Sequence, residues 1–241
     1  MGGQLSSPEL DTLTSTLGRQ WERLHRWLAQ LDEDALAGPS VLTGWSVADL
    51  VAHLGRAMDA LAVTRVAEPG TVPLTLAEYL GTYPERAEEI SEVTHDLAAR
   101  IAHAPVAEVD GMARGAVARL AELRAEPGDP VLQARRAPIL LSEMVLSRLV
   151  ELVVHGDDLA RSVRLPGPGP VDPEASRLVS DTLLEVLVDR GGWDIEVVDE
   201  AAWIRLACGR TPFSVDAVAG ALAPRSTADS LPDLGTRLPL L

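Results

Sequence analysis

Lysine is absent from this chain, and all 21 basic residues are arginine. That absence excludes a phosphate-loop lysine, a pyridoxal Schiff base, a lysine nucleophile and carrier-type lysine modification. The simplest origin of the bias is a GC-rich coding genome rather than function. Cysteine occurs once, at Cys208, so an internal disulfide and any cysteine-rich zinc or iron-sulfur site are excluded. No run approaches eighteen uninterrupted apolar residues, and the start MGGQLSSPELD lacks the basic residues and apolar core of a secretory signal. A cytoplasmic protein is expected. The formal charge of -15 repels phosphate backbones and anionic lipid, so neither nucleic acid nor membrane is expected as a partner. A local basic patch can still bind a small anion.

The 241 residues, 46% of them hydrophobic, suffice for one large domain or for a bundle with a smaller companion. Ser7-Pro8 reads as a cap with proline in the first turn, and Leu10, Leu13, Leu17, Trp21, Leu24, Leu28 and Leu31 follow at helical spacing. A helix is predicted over about 8–32, broken at Ala37-Gly-Pro-Ser40. Ser46 and Asp49 form a capping-box pattern, with Trp45 placed to staple onto Leu50, for a second helix reaching about Ala67. His53 lies two turns inside it. A third helical stretch is expected from about Thr75 to Ala104, kinked at Pro84, and a short amphipathic helix over 111–125. After the turn at Glu126-Pro-Gly-Asp-Pro130, Pro138 is expected to open a last long helix, with Arg148, Glu151, His155 and Asp158 along one face.

Leu165-Pro-Gly-Pro-Gly-Pro170 is the strongest linker signal, dividing a bundle over 1–165 from a tail over 171–241. In the tail a helix is expected over about 173–190, a short strand within Trp193–Val198 and a helix over Glu200–Ala207.

Glu151 and His155 are four residues apart on one helix, so both side chains can grip a single ion. That spacing alone is more often the mark of a surface hydrogen bond. Both residues, however, interrupt the apolar run Leu149-Val150 and Leu152-Val153-Val154, where an unpaired polar group is costly once buried. A partner is then required, and His53, among Leu50, Val51, Ala52 and Leu54 on another long helix, is the natural one. Alone, His53 also reads as a satisfied core histidine. Two imidazoles and one carboxylate suit zinc and leave a coordination position open for chemistry. Asp157, Asp158 or Glu143 is available to close the site instead. Asp158 can orient a ligand histidine or cap the following turn. Trp21 and Trp27 read as packing, His25, His95 and His103 as solvent-facing, and Cys208 as a small buried hydrophobe.

The segments Pro39-Ser-Val-Leu-Thr-Gly-Trp-Ser-Val-Ala-Asp-Leu-Val-Ala-His53-Leu and Glu151-Leu-Val-Val-His155-Gly-Asp-Asp-Leu-Ala160 resemble the two metal segments of the maleylpyruvate isomerase family of mycothiol-dependent enzymes. The resemblance covers residues 5–165 and implies a mainly α fold, a DinB-like up-up-down-down four-helix bundle. It makes His53, Glu151 and His155 the ligands of one zinc ion per chain. It further implies that mycothiol is the thiol cosubstrate, binding zinc as thiolate. Trp203-Ile-Arg-Leu-Ala-Cys-Gly-Arg210, with Leu231-Pro-Asp-Leu and Leu238-Pro-Leu-Leu241, resembles the short sterol-carrier-type domain of many members, a small α+β domain. There the resemblance assigns a catalytic arginine, with Arg210 the first candidate and Arg225 the second.

The implied activity is addition of a thiolate to an electrophilic small molecule, as a cis-trans isomerase or a mycothiol S-transferase, in a monomer or homodimer. A non-catalytic ligand-binding or regulatory protein, with a structural metal or none, is the reading from another class. Hydrolysis by zinc-bound hydroxide is a third, for which no general base is identified.

Overall fold

The computed structural model describes residues 7–226 and 231–240; Leu241 of the expected terminal motif, and the side chains of the expected Ser7-Pro8 cap, lie outside that description. The chain divides into two compact units, Met1–Asp172 and Pro173–Leu241.

The first unit is a helical bundle, the mainly α architecture expected. Its long helices are α1 (Ser7–Leu28), α3 (Val47–Ala62), α5 (Ala87–Ile101), α6 (Pro105–Leu123) and α7 (Leu141–Ser162), with short helices α2 (Glu33–Ala37) and α4 (Leu76–Leu80) between them. Leu10, Leu13, Leu17, Trp21, Leu24, Trp27 and Leu28 of α1 are buried, as their spacing requires. The α3 start is the expected capping box: Ser46 Oγ accepts from the Asp49 amide at 3.1 Å, and Asp49 Oδ2 accepts from the Ser46 amide at 2.8 Å. Such a cap contributes about 1 kcal/mol and sets the rotational phase of every residue behind it, His53 included.

Several boundaries differ from the sequence reading. The first helix ends at Leu28 and the second at Ala62. The stretch expected as one kinked helix is α4, a 3₁₀ turn at Pro84–Arg86 and α5. Proline at 84 has no amide to donate, so the turn is remade rather than bent. α6 begins at Pro105, well before the expected 111.

The largest correction concerns Pro138, which opens a strand rather than a helix. β1 (Arg65–Val66), β2 (Val131–Gln133) and β3 (Pro138–Leu140) form an antiparallel sheet in that order, with Leu132 opposite Ile139 and Gln133 opposite Pro138. α7 starts only at Leu141, and its orphan amide at Ser142 is satisfied from a distance by buried Asp129, whose Oδ1 accepts at 2.9 Å. Leu140 supplies no side-chain cap. A carboxylate on the preceding turn therefore determines where the helix begins.

α3 and α6 approach closely at Gly55. A Cβ placed there would stand 2.6 Å from Val109 Cγ1 and 2.9 Å from Met112 Sδ, so only glycine fits.

The second unit comprises α8 (Pro173–Gly191), β4 (Ile195–Val197), α9 (Glu200–Ala207), α10 (Val215–Ala221) and β5 (Leu222–Pro224), with β4 and β5 antiparallel. Trp203 is fully buried, and its indole N–H donates to the Ser180 carbonyl at 3.0 Å. The Leu240 amide donates to the Ala207 carbonyl.

Candidate metal centre

α3 carries His53 and α7 carries Glu151 and His155, one turn apart on the same face. All three are buried, at 8%, 7% and 7% residual exposure, inside helices otherwise lined by Leu and Val. Three polar side chains sunk this deep must satisfy one another or a shared ligand.

Their ligating atoms lie within 4.8 Å of one another, and among the described residues no fourth His, Cys, Asp or Glu joins them. His53 Nε2 stands 3.2 Å from Glu151 Oε2, and His155 Nε2 stands 3.3 Å from the same oxygen. The outer nitrogens are held from behind. Asp158 Oδ2 lies 3.0 Å from His155 Nδ1, and a carboxylate can only accept, so Nδ1 carries the proton. Thr94 on α5 gives its hydroxyl proton to the Ile90 carbonyl at 2.6 Å, leaving Oγ1 to accept from His53 Nδ1 at 3.4 Å. With Nδ1 of each ring held from behind, both Nε2 atoms face Glu151.

The carboxylate is ionised. Burial alone raises the Glu151 pKa, but the bonds to His155 and His53 and the Arg148 charge hold it well below the usual range. The His53 ring is neutral, since burial and the neighbouring His155 lower its pKa to about 4 against the opposing pull of Glu151. Two imidazole nitrogens and a carboxylate oxygen thus converge. This donor set fits a divalent cation of the zinc type, with histidines oriented through their second nitrogens.

Of the alternatives for closing the site, Glu143 is used elsewhere, accepting from the Leu76 amide at 3.2 Å. Asp157 lies 3.9 Å from Arg161 Nη1, and Asp158 faces the outer nitrogen of His155. Trp45 stands edge-on to His53, with ring centroids 5.3 Å apart, and its indole donates to Ser91. Arg148, fully buried one turn before Glu151, donates to the Ala57 carbonyl and the Tyr83 hydroxyl, each at 3.0 Å. Trp21, Trp27 and Cys208 are buried. His95 is exposed, as expected, and also bonds Asp49 at 3.0 Å and Ser91.

A cavity of about 260 Å³ opens onto His53 and Glu151, walled by α3, α5, α7 and the loop between β2 and β3. Arg56, Arg135 and Arg136 line it, and sequence reasoning singled out none of them. They come from segments some eighty residues apart, so no linear spacing could have revealed them. Arg210 belongs to the second unit, just after α9, where its Nη1 donates to the Cys208 carbonyl at 2.9 Å. Arg225 bonds the Ile195 carbonyl at 3.2 Å.

Fold and site together define a helical-bundle protein with a buried two-histidine, one-carboxylate centre. Residues 17–160 match the mycothiol maleylpyruvate isomerase N-terminal domain family, and the chain belongs to it. A crystal structure of the mycothiol-dependent maleylpyruvate isomerase shares the fold, with a TM-score of 0.56 and 17% identity, covering 84% of this chain and 90% of that one. A comparison with the curated proteins finds no match. Among the described residues no helix is long and apolar enough to cross a membrane.

Proposed function

We propose that this protein is a zinc- and mycothiol-dependent enzyme that adds a thiolate to an electrophilic small molecule, as a maleylpyruvate isomerase-like cis-trans isomerase or a mycothiol S-transferase. The observation that carries this reading is the convergence of His53 Nε2, His155 Nε2 and Glu151 Oε2, buried side-chain atoms of three residues whose ligating groups lie within 4.8 Å of one another.

His53, Glu151 and His155 would hold the ion. When bound, zinc supplies a Lewis acid that lowers the pKa of a thiol at neutral pH. Asp158 and Thr94 keep both imidazoles in the metal-binding tautomer. The sulfur would come from a cosubstrate, because the single cysteine, Cys208, is buried.

In the proposed reaction the thiolate forms a C–S bond to a conjugated alkene, and the electron pair of the double bond moves onto the activating carbonyl. Rotation about the resulting single bond and departure of sulfur returns the isomer and the thiol. Protonation at carbon instead leaves the conjugate. Arg210 is proposed to assist as a cation, within a tail read as a short sterol-carrier-type domain. The protein is taken to be cytoplasmic, monomeric or homodimeric.

The test is incubation of the zinc-loaded protein with mycothiol and a panel of electrophiles, followed by product mass and chromatography. Thiol-dependent turnover is expected, with product identity separating isomerisation from conjugation. Equal turnover without thiol overturns the proposal.

A further inference from the structure

The cavity beside the metal ligands has a wall chemistry that metal binding does not explain. Five arginines line it, Arg56, Arg86, Arg135, Arg136 and Arg148, against the carboxylates of Glu89 and Glu151. In a chain of net charge -15 such a concentration of positive charge is not a by-product of composition.

Three of the five have partners. Arg86 forks Glu89 at 2.9 and 2.8 Å, Arg135 pairs with Asp59 at 2.6 Å, and Arg148 is spent on the Ala57 carbonyl and the Tyr83 hydroxyl. Arg56 and Arg136 make no ion pair among the described residues. The Arg136 guanidinium sits 4.0 Å from the centroid of the Tyr83 ring and 5.7 Å from that of Tyr79, so aromatic faces fix its plane. Its Nη1 is buried and has no hydrogen-bond partner among the described residues. A buried donor left so is unfavourable, and a bound acceptor removes that cost. Arg56 lies on α3 one turn beyond His53, so it shares the face that carries the ligand histidine. Burial and the charges of Arg136 and Arg135 push the Arg56 pKa down, against the opposing pull of Glu151 and Glu89.

We propose that Arg56 and Arg136 form a carboxylate subsite next to the metal ligands, which selects electrophiles bearing a carboxylate over neutral ones. Planar guanidinium forks match the two oxygens of a carboxylate, and the cavity volume admits a small acid rather than a macromolecule. The electrophile part of this inference rests on the proposed thiol-addition activity; the anion-binding part does not.

The test therefore has two arms. In the first, succinate and its dimethyl ester are titrated calorimetrically into metal-free protein, where no ion can hold the acid. Succinate should bind and the ester should not. Arg56→Gln and Arg136→Gln should each weaken succinate at least tenfold while circular dichroism stays unchanged, and Arg136→Lys should recover only part of the affinity. No succinate binding, affinity untouched by both variants, or inorganic phosphate binding tighter than succinate overturns the subsite. In the second, Arg136→Gln should raise KM for a carboxylate-bearing electrophile about tenfold or more, leaving KM for its ester and for the thiol unchanged. A rise in the thiol KM with both electrophiles assigns the anion to the thiol and overturns the selectivity. Absence of thiol-dependent turnover with succinate binding intact is failure of the proposed activity alone.

Discussion

Asp158 engages the outer nitrogen of His155, its Oδ2 accepting from Nδ1 at 3.0 Å from a position one turn along the same helix. The bond puts a proton on Nδ1 and turns Nε2 toward Glu151, so a fully buried carboxylate orients the proposed ligand ring. Replacing Asp158 by Asn keeps the shape and removes the charge. Zinc affinity should fall by about 10–100-fold in competition with a chromophoric chelator, with helicity retained. An unchanged affinity would assign Asp158 to the capping of the helix end alone.

The ligand set itself is tested by composition. Purified protein should carry close to one zinc per chain, and His155→Ala should abolish it while far-ultraviolet circular dichroism stays near that of the parent. Metal analysis that finds equal zinc in both proteins would contradict the assignment.

Acid should destabilise the metal-free chain earlier than an ordinary helical bundle. Above pH 6.5 the His53 ring is neutral both folded and unfolded, so it adds no pH dependence. Between pH 6.5 and about 4 the unfolded chain takes up a proton that the folded one refuses, and stability falls as pH falls, by about 3 kcal/mol in all from this residue. Glu151, held below its usual range, adds a further loss only below about pH 4.5. Urea unfolding at pH 7.5, 6 and 5 should show this slope, and His53→Gln should flatten the upper part. A flat profile above pH 5 in the parent would refute the assigned shift.

The contact at Gly55 makes a prediction about the fold alone. Gly55→Ala places a methyl group 2.6 Å from Val109 Cγ1, so α3 and α6 must separate. The expected cost is about 1–3 kcal/mol, read as a lower urea midpoint, despite the better helix propensity of alanine. A midpoint equal to or above that of the parent would show that the two helices part easily.

Arg210→Ala should lower turnover by about tenfold or more while zinc occupancy stays constant, because Arg210 belongs to the second unit and the proposed ligands to the first. Unaltered kcat would remove Arg210 from the reaction and direct attention to Arg225.

Much of the architecture was legible where local chemistry is decisive. The Ser46/Asp49 cap and the apolar repeat of α1 depend on neighbours in the chain, and there expectation and structure agree. The β2–β3 hairpin was not legible. Pro138 before an apolar periodic run is a standard helix opening, and only pairing with Val131–Gln133 and the remote Asp129 cap displace the start to Leu141. Pairing partners and caps drawn from outside the helix leave no local signature.

The same division runs through the site. Sequence by itself determined that His53, Glu151 and His155 needed an explanation, because a polar residue inside an apolar helical run must find a partner once the run is buried. It also determined that no protein thiol or lysine stands in the bundle for the chemistry. Only the tertiary structure decided which atoms meet, that Thr94 and Asp158 hold the two rings from behind, and that Arg56 and Arg136 share one cavity. Those residues come from four separate segments, and contacts between segments arise from packing, which no spacing along the chain records.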